Sequence, residues 1–258
     1  MKRWMIPILL LSGCAVEDAQ PIDEPPAESQ CIVAAESGGN GGHGGMLALI
    51  SAGALPQNAL INASGGVGAL AGLAQQGPEA QPGDNGDGGA VELREDPSYV
   101  FDATGIDPST QVVVSLQGEN VLAIDGSDAM PLVRVARFEI GEGATLAVSR
   151  FTRIEAEELV IHAGARLLLR DEGESAMRIA AEVAIDGASG GQVSIATRRL
   201  VLDGTIDASG SDGAPAQHGG HGGQLVIAAE VLELGPDAAI LVNGGNGGAG
   251  EDERPCSE

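Results

Sequence analysis

Four aspartates sit where a short aliphatic run ends: Asp125 and Asp186 in Ile-Asp-Gly, Asp203 in Leu-Asp-Gly and Asp207 in Ile-Asp-Ala. Gathered on one face, two or three carboxylates would supply an acid and a base or nucleophile for glycosidic hydrolysis. The same Asp-Gly pairs also suit a tight turn, because Asp bonds its own backbone and Gly accepts a positive φ. The turn is the reading favoured for these positions, and no residue is singled out as catalytic. A lyase would need a basic side chain. Lys2 is the only lysine, and the nearest arginines, Arg198 and Arg199, precede a strand with no acidic cluster written around them.

Histidines and acids in the glycine runs are the metal candidates. His218 and His221 are spaced His-Gly-Gly-His, but no third or fourth ligand follows at a zinc-like interval. Together with His43 they read as spacers, and His162, alone among aliphatic neighbours, reads as a surface position of a strand. Calcium is a weak expectation through Asp84 and Asp87, or Asp207 and Asp212, since none of these completes a known calcium ligand ladder. Ser64, Ser189 and Ser209 recur in Ala-Ser-Gly, which marks a structural position rather than a nucleophile.

These residues must be carried by a repeating scaffold. Phe138–Val148, Leu159–Leu169, Leu200–Ala208 and Val231–Val242 each read as an aliphatic strand, a Gly- or Asp-centred turn and a second aliphatic strand. Phe138 to Leu159 is 21 residues, and Leu159 to Leu200, at 41, is close to two such steps. Phe138, Ile140, Leu146 and Val148 alternate onto one face, which a single rung cannot bury without stacked neighbours. The expected fold is therefore all-β: a parallel β-helix, or β-solenoid, with rungs of about 21 residues.

A second element lies between rungs. Ile61-Asn-Ala-Ser-Gly-Gly66 and Ile206-Asp-Ala-Ser-Gly210 open glycine-rich excursions, while Ile185 to Ile195 makes the same passage almost without insertion. The chain begins with the closing half of this element at Gly38–Leu49 and ends with its opening half at Leu241–Gly248. Either the array starts and stops out of phase, or residues 31 to 66 dock beside the last rung. Docking would bring Cys31 near Cys256, whereas a plain stack at roughly 4.8 Å per rung would hold them too far apart for a disulfide. Free thiols at both positions in the exported protein would remove the reason for proposing it.

Composition narrows the partners. The formal net charge is −24, with 13 basic and 37 acidic residues, so no cationic footprint for nucleic acid exists. The aromatics after the first dozen residues are Tyr99, Phe101, Phe138 and Phe151, too few for a sugar-stacking platform. At 43% hydrophobic residues the chain still has enough aliphatic side chain for a core.

Ahead of all this, Lys2 and Arg3 precede an apolar run, Trp4–Leu11, too short to span a bilayer, and Leu11-Ser12-Gly13-Cys14 follows it. This resembles the lipobox of bacterial lipoproteins. The resemblance implies removal of residues 1–13, lipidation of Cys14 with palmitate-type chains, and an outer-membrane destination, since Ala15 and Val16 lack the inner-membrane Asp signal. Residues 14–34 then form an acidic, Pro-rich tether, 35–250 the Gly-rich solenoid and 251–258 an acidic tail. The repeat region likewise resembles glycine-rich parallel β-helix surface proteins. Together these imply a lipid-anchored envelope protein with a structural, adhesive or interaction role and no cofactor. Its partners would be the membrane, through Cys14, and envelope or extracellular macromolecules. The alternative is a carbohydrate-active β-helix lyase or hydrolase using clustered Asp residues.

Overall fold

The computed structural model describes residues 32–33, 35–55, 60–73, 79–115, 117–122, 132–148, 152–169, 189–252 and 254–255. Fifteen strands occur among them and no helix. Seven form one sheet: β2 (Met46–Ser51), β4 (Ala90–Glu95), β5 (Gln111–Val114), β7 (Leu132–Ile140), β9 (Thr152–Ile161), β11 (Gln192–Leu202) and β13 (Gln224–Leu234). Six shorter ones form the second: β3 (Leu60–Asn62), β6 (Gly118–Leu122), β8 (Ala144–Val148), β10 (Arg166–Leu169), β12 (Thr205–Asp207) and β14 (Ala239–Leu241). β1 (Ile32–Val33) and β15 (Arg254–Pro255) pair antiparallel by themselves, Ile32 opposite Pro255.

Every neighbour within the two larger sheets is parallel. Their orders are β4-β2-β13-β11-β9-β7-β5 and β3-β14-β12-β10-β8-β6, so two all-parallel sheets form a β-solenoid-like stack. Like residues sit above like. Phe138 pairs with Leu159, Leu159 with Leu200 and Leu200 with Leu232, while Leu146, Leu167, Ile206, Ile240 and Ile61 form the matching column in the second sheet. These columns make the core, with Phe138, Leu159, Leu200, Leu167, Ile206 and Ile240 wholly buried. Each such side chain contributes about 1.5–3 kcal/mol by leaving water, and the aliphatic alternation is what selects this face.

Turns between the sheets follow the same register. Gly143 and Gly164 have φ of 70° and 67° at equivalent turns. There Ala144 N–H donates to Gly141 O and Ala165 N–H to His162 O. A side chain at either glycine would strain the left-handed backbone.

One expectation changes and one open alternative is decided. The 41-residue step from Leu159 to Leu200 is one rung, not two, because β9 and β11 are directly hydrogen-bonded neighbours. Rung length therefore varies, from 21 residues between Phe138 and Leu159 to 41 between Leu159 and Leu200. Of the two arrangements open for the chain ends, docking is the one found: β13 pairs with β2, and β14 with β3, so the N-terminal strands follow the C-terminal ones in the stack.

This interleaving forces a crossing. β4 and β5 are consecutive in sequence yet lie at opposite edges of the seven-stranded sheet. Residues 96–110 therefore pass over it as a strap. Tyr99 Oη donates to Ala228 O of β13 at 3.3 Å, Phe101 N–H donates to Glu230, and Arg134 of β7 donates to Asp102 O at 3.2 Å. Phe101 is 5% exposed. Two of the scarce aromatics thus fasten the strap, and Phe138 fills the core.

Candidate interaction surface

The glycine-rich excursions do not hang as separate loops. Six segments, 36–45, 62–72, 81–89, 208–216, 217–223 and 242–251, pack into a two-layer slab. Three of them (208–216, 242–251 and 62–72) leave the core side by side and parallel. Gly210, Gly213 and Ala216 donate to Asn243, Asn246 and Ala249, and Gly244, Gly247 and Gly250 donate to Ser64, Val67 and Leu70. The other three (217–223, 36–45 and 81–89) return in the same manner. Gly219 and Gly222 donate to Asn40 and His43, and Gly38, Gly41 and Gly44 donate to Gln81, Asp84 and Asp87.

The two layers run antiparallel and are stitched together at the same interval. Gly39, Gly42 and Gly45 donate to Gly248, Gly245 and Val242; Gly66, Ala69 and Gly72 donate to Gly42, Gly39 and Glu36. Partners recur at every third residue and always belong to another segment. That is the bonding of polyproline II helices, which have three residues per turn and no internal hydrogen bonds. In Gly38-Gly-Asn-Gly-Gly-His-Gly-Gly45 one glycine of each triplet faces the neighbour in its layer, the next faces the opposite layer, and only Asn40 and His43 point outward. A Cβ at Gly42 would stand 1.9 Å from Gly220 O, and one at Gly245 would stand 1.9 Å from Ser211 O.

The outward residues have a common task. Their own N–H groups lack a backbone partner in the slab and are capped by the outward side chain of the adjoining segment. His218 Nδ1 accepts from Asn40 N–H at 2.9 Å, and Asn40 Oδ1 from Asp84 N–H at 2.9 Å. His221 Nδ1 accepts from His43 N–H at 3.0 Å, and His43 Nδ1 from Asp87 N–H at 2.9 Å. On the other face Ser209 caps Asn243, Asn243 caps Ser64, Asp212 caps Asn246 and Asn246 caps Val67. The His43 and His221 rings stack with centroids 5.0 Å apart and planes 7° from parallel.

The His-Gly-Gly-His spacing is thus the period of the helix, since residues three apart fall on one face a full turn apart. The imidazoles serve as acceptors where Asn or Ser stands elsewhere. Asp84, Asp87 and Asp212 occupy the same ladders, and no cluster of three or more His, Cys, Asp or Glu that could hold a metal occurs among the described residues. His43→Ala is expected to strand the Asp87 amide and cost about 1 kcal/mol, whereas His43→Asn keeps an acceptor there and stays close to wild type. Urea midpoints of the two variants check this.

The remaining aspartates are separate. Asp203 lies in the turn between β11 and β12, where its Oδ1 faces Asp237 N–H at 3.4 Å. Asp207 ends β12, 3% exposed, pairing with Arg166 of β10 and accepting from Ser209 N–H at 2.8 Å. Burial raises its pKa, but the Arg166 and Ser209 hydrogen bonds outweigh this and hold the carboxyl below the usual range. Asp125, Asp186, Ser189's neighbours 170–188, Cys14, Cys31, Cys256 and Phe151 lie outside the described residues, apart from Ser189 itself.

Arg198 and Arg199 correct an expectation. They lie within β11 and meet acids from neighbouring rungs: Arg199 bonds Glu158 at 2.7 Å and Glu233 at 2.9 Å, and Arg137 bonds Glu158 in turn. This alternating ladder was invisible along the chain because its members stand 21, 41 and 34 residues apart. His162 follows β9 rather than lying in it, and its Nε2 meets Glu139 Oε1 at 2.8 Å.

Beneath the strap lies a cleft of about 240 Å³ lined by Tyr99, Phe101, Asp102, Arg134, Arg153 and Glu155. Its charges are matched internally: Glu155, 8% exposed, takes Arg134 at 2.9 Å and Arg153 at 2.7 Å. Burial, with the Glu230 and Glu155 charges, pushes the Tyr99 phenol up, so it is held as a donor.

No protein-family model matches the chain, and neither the curated proteins nor the solved structures contain a match to it.

Proposed function

We propose that this chain is a lipid-anchored envelope protein with a structural or interaction role and no catalysis. The supporting observation is that the carboxylates of Asp203, Asp207, Asp212 and Glu155 each serve a structural partner. Asp203 serves a turn, Asp207 holds Arg166 and Ser209, Asp212 caps the Asn246 amide, and Glu155 sits between two arginines, while Asp84 and Asp87 enter the slab's ladders through their backbone N–H groups. Hydrolysis of a glycosidic bond needs one carboxyl free to give a proton and another free to take one or to attack. Acids already committed to backbone amides and guanidinium groups suit a scaffold instead. In this reading the stacked sheets are a parallel β-helix with a rung of 21 residues where no excursion intervenes. The slab of polyproline II segments is its displayed surface.

Anchoring at Cys14 and an outer-membrane location rest on the Leu11-Ser12-Gly13-Cys14 motif. Palmitate labelling of the full chain tests this: the wild type is expected to incorporate label and partition with membranes, and Cys14→Ala to do neither. Labelling that survives in Cys14→Ala would defeat the anchor assignment. Release of reducing or unsaturated ends from acidic polysaccharides by the purified protein would favour the carbohydrate-active alternative.

A further inference from the structure

One end of the stack stops at half a rung. β4 closes the seven-stranded sheet, and all six of its residues are exposed. Its register with β2 puts Val91 beside Leu47 and Leu93 beside Leu49, so both face the core. Leu47 and Leu49 are 1% and 2% exposed, but Val91 and Leu93 are 43% and 50% exposed. After β4 the chain leaves as the strap, so the second sheet ends at β3 without a strand opposite β4, and Leu60 is left exposed there too. An unpaired edge beside an open apolar core is a template for another strand.

The sequence of this edge selects its own copy. In an antiparallel pair centred on Leu93, Glu92 of one Ala-Val-Glu-Leu-Arg-Glu strand stands opposite Arg94 of the other, twice, while on the core side Leu93 meets Leu93 and Val91 lies against the aliphatic stem of Glu95. Centring on Glu92 would oppose two carboxylates. A one-residue slip would turn the core-facing set to solvent. Arg94 also bonds Asp96 in its own chain at 2.9 Å, which orients the guanidinium along the outward face. A two-fold axis through Leu93 is the arrangement in which one patch satisfies itself. We propose that two copies of this chain join end to end through antiparallel β4 edges, with Leu93 on the dyad and reciprocal Glu92–Arg94 pairs.

The test uses the purified full chain. Light scattering should give twice the monomer mass. Arg94→Glu and Glu92→Arg should each raise the dimer dissociation constant about tenfold or more, and the double exchange Glu92→Arg with Arg94→Glu should restore it. Both positions are exposed, so unchanged circular dichroism should accompany the loss. Leu93→Cys should form a covalent dimer under mild oxidation that leaves the wild type uncrosslinked. A monomeric wild type, a dimer indifferent to both charge reversals, or failure of Leu93→Cys to crosslink within a dimer would each overturn the proposal.

Discussion

Gly42→Ala and Gly245→Ala are each expected to cost about 3 kcal/mol or more, the sum of overpacking and of lost hydrogen bonds between segments. The cause is a backbone approach that no rotamer can relieve. Gly42 lies at the centre of the returning layer, donating to Gly245 O and accepting from Gly66 N–H, and its Cβ would sit 1.9 Å from Gly220 O. Relief requires that one segment move away, and that movement opens the three-residue ladder on both sides. Collagen excludes side chains from its axis for the same reason. Gly88→Ala provides the control. It lies in the same kind of glycine run, but a Cβ there meets nothing within 4 Å, so its change should stay within about 0.5 kcal/mol. Equilibrium urea unfolding of the three variants gives the comparison. Equal losses at Gly42 and Gly88 would show that glycine is wanted for flexibility rather than for close packing.

Asp207 is expected to make the fold acid-labile. Its carboxyl titrates lower in the folded chain than the ordinary 3.8, because hydrogen bonds from Arg166 and Ser209 overcome the burial that would raise it. A depressed acid contributes stability that is whole above its unfolded pKa and is lost as pH falls through the folded one. The loss therefore sets in below about pH 4. Removing the charge with Asp207→Ala leaves Arg166 unpaired; because Arg166 is 43% exposed, water softens the cost to about 2–3 kcal/mol, under the 3–5 typical of fully buried pairs. Asp96, Asp102 and Asp107 are lowered by Ser98, Thr104 and Ser109 in the same direction. Protonation also relieves the repulsion of a strongly acidic chain, which acts in the opposite sense. The readout is accordingly the difference between wild type and Asp207→Asn in unfolding free energy from pH 7 to pH 3. That difference should shrink as pH falls, and a constant difference would remove Asp207 as the cause.

Much of the scaffold was legible because it is written locally. Alternation at Phe138, Ile140, Leu146 and Val148 assigned the core face, and the 21-residue return to Leu159 identified a true neighbour. The 41-residue return to Leu200 was misjudged because spacing alone cannot tell a skipped rung from one long rung. Only the direct pairing of β9 with β11 decides. In the glycine runs, the composition announced close backbone contact, but the role of His43, His218 and His221 was missed. The available signal was the Gly-Gly-X triplet, shared by His43 with Asn40 and by Asn243 with Asn246.

By itself the sequence determined which residues turn inward, which backbone stretches must be free of side chains and how acidic the exterior is, since each depends on residue type and period within a few positions. The tertiary structure decided which stretch lies beside which. It chose docking of the N-terminal strands after the C-terminal ones over an array out of phase, sent residues 96–110 across the sheet as a strap, and aligned Arg137, Glu158 and Arg199 into one ladder. It also left Val91 and Leu93 facing an open end. Those outcomes arise from pairings between residues tens to nearly two hundred positions apart, and no local period encodes them.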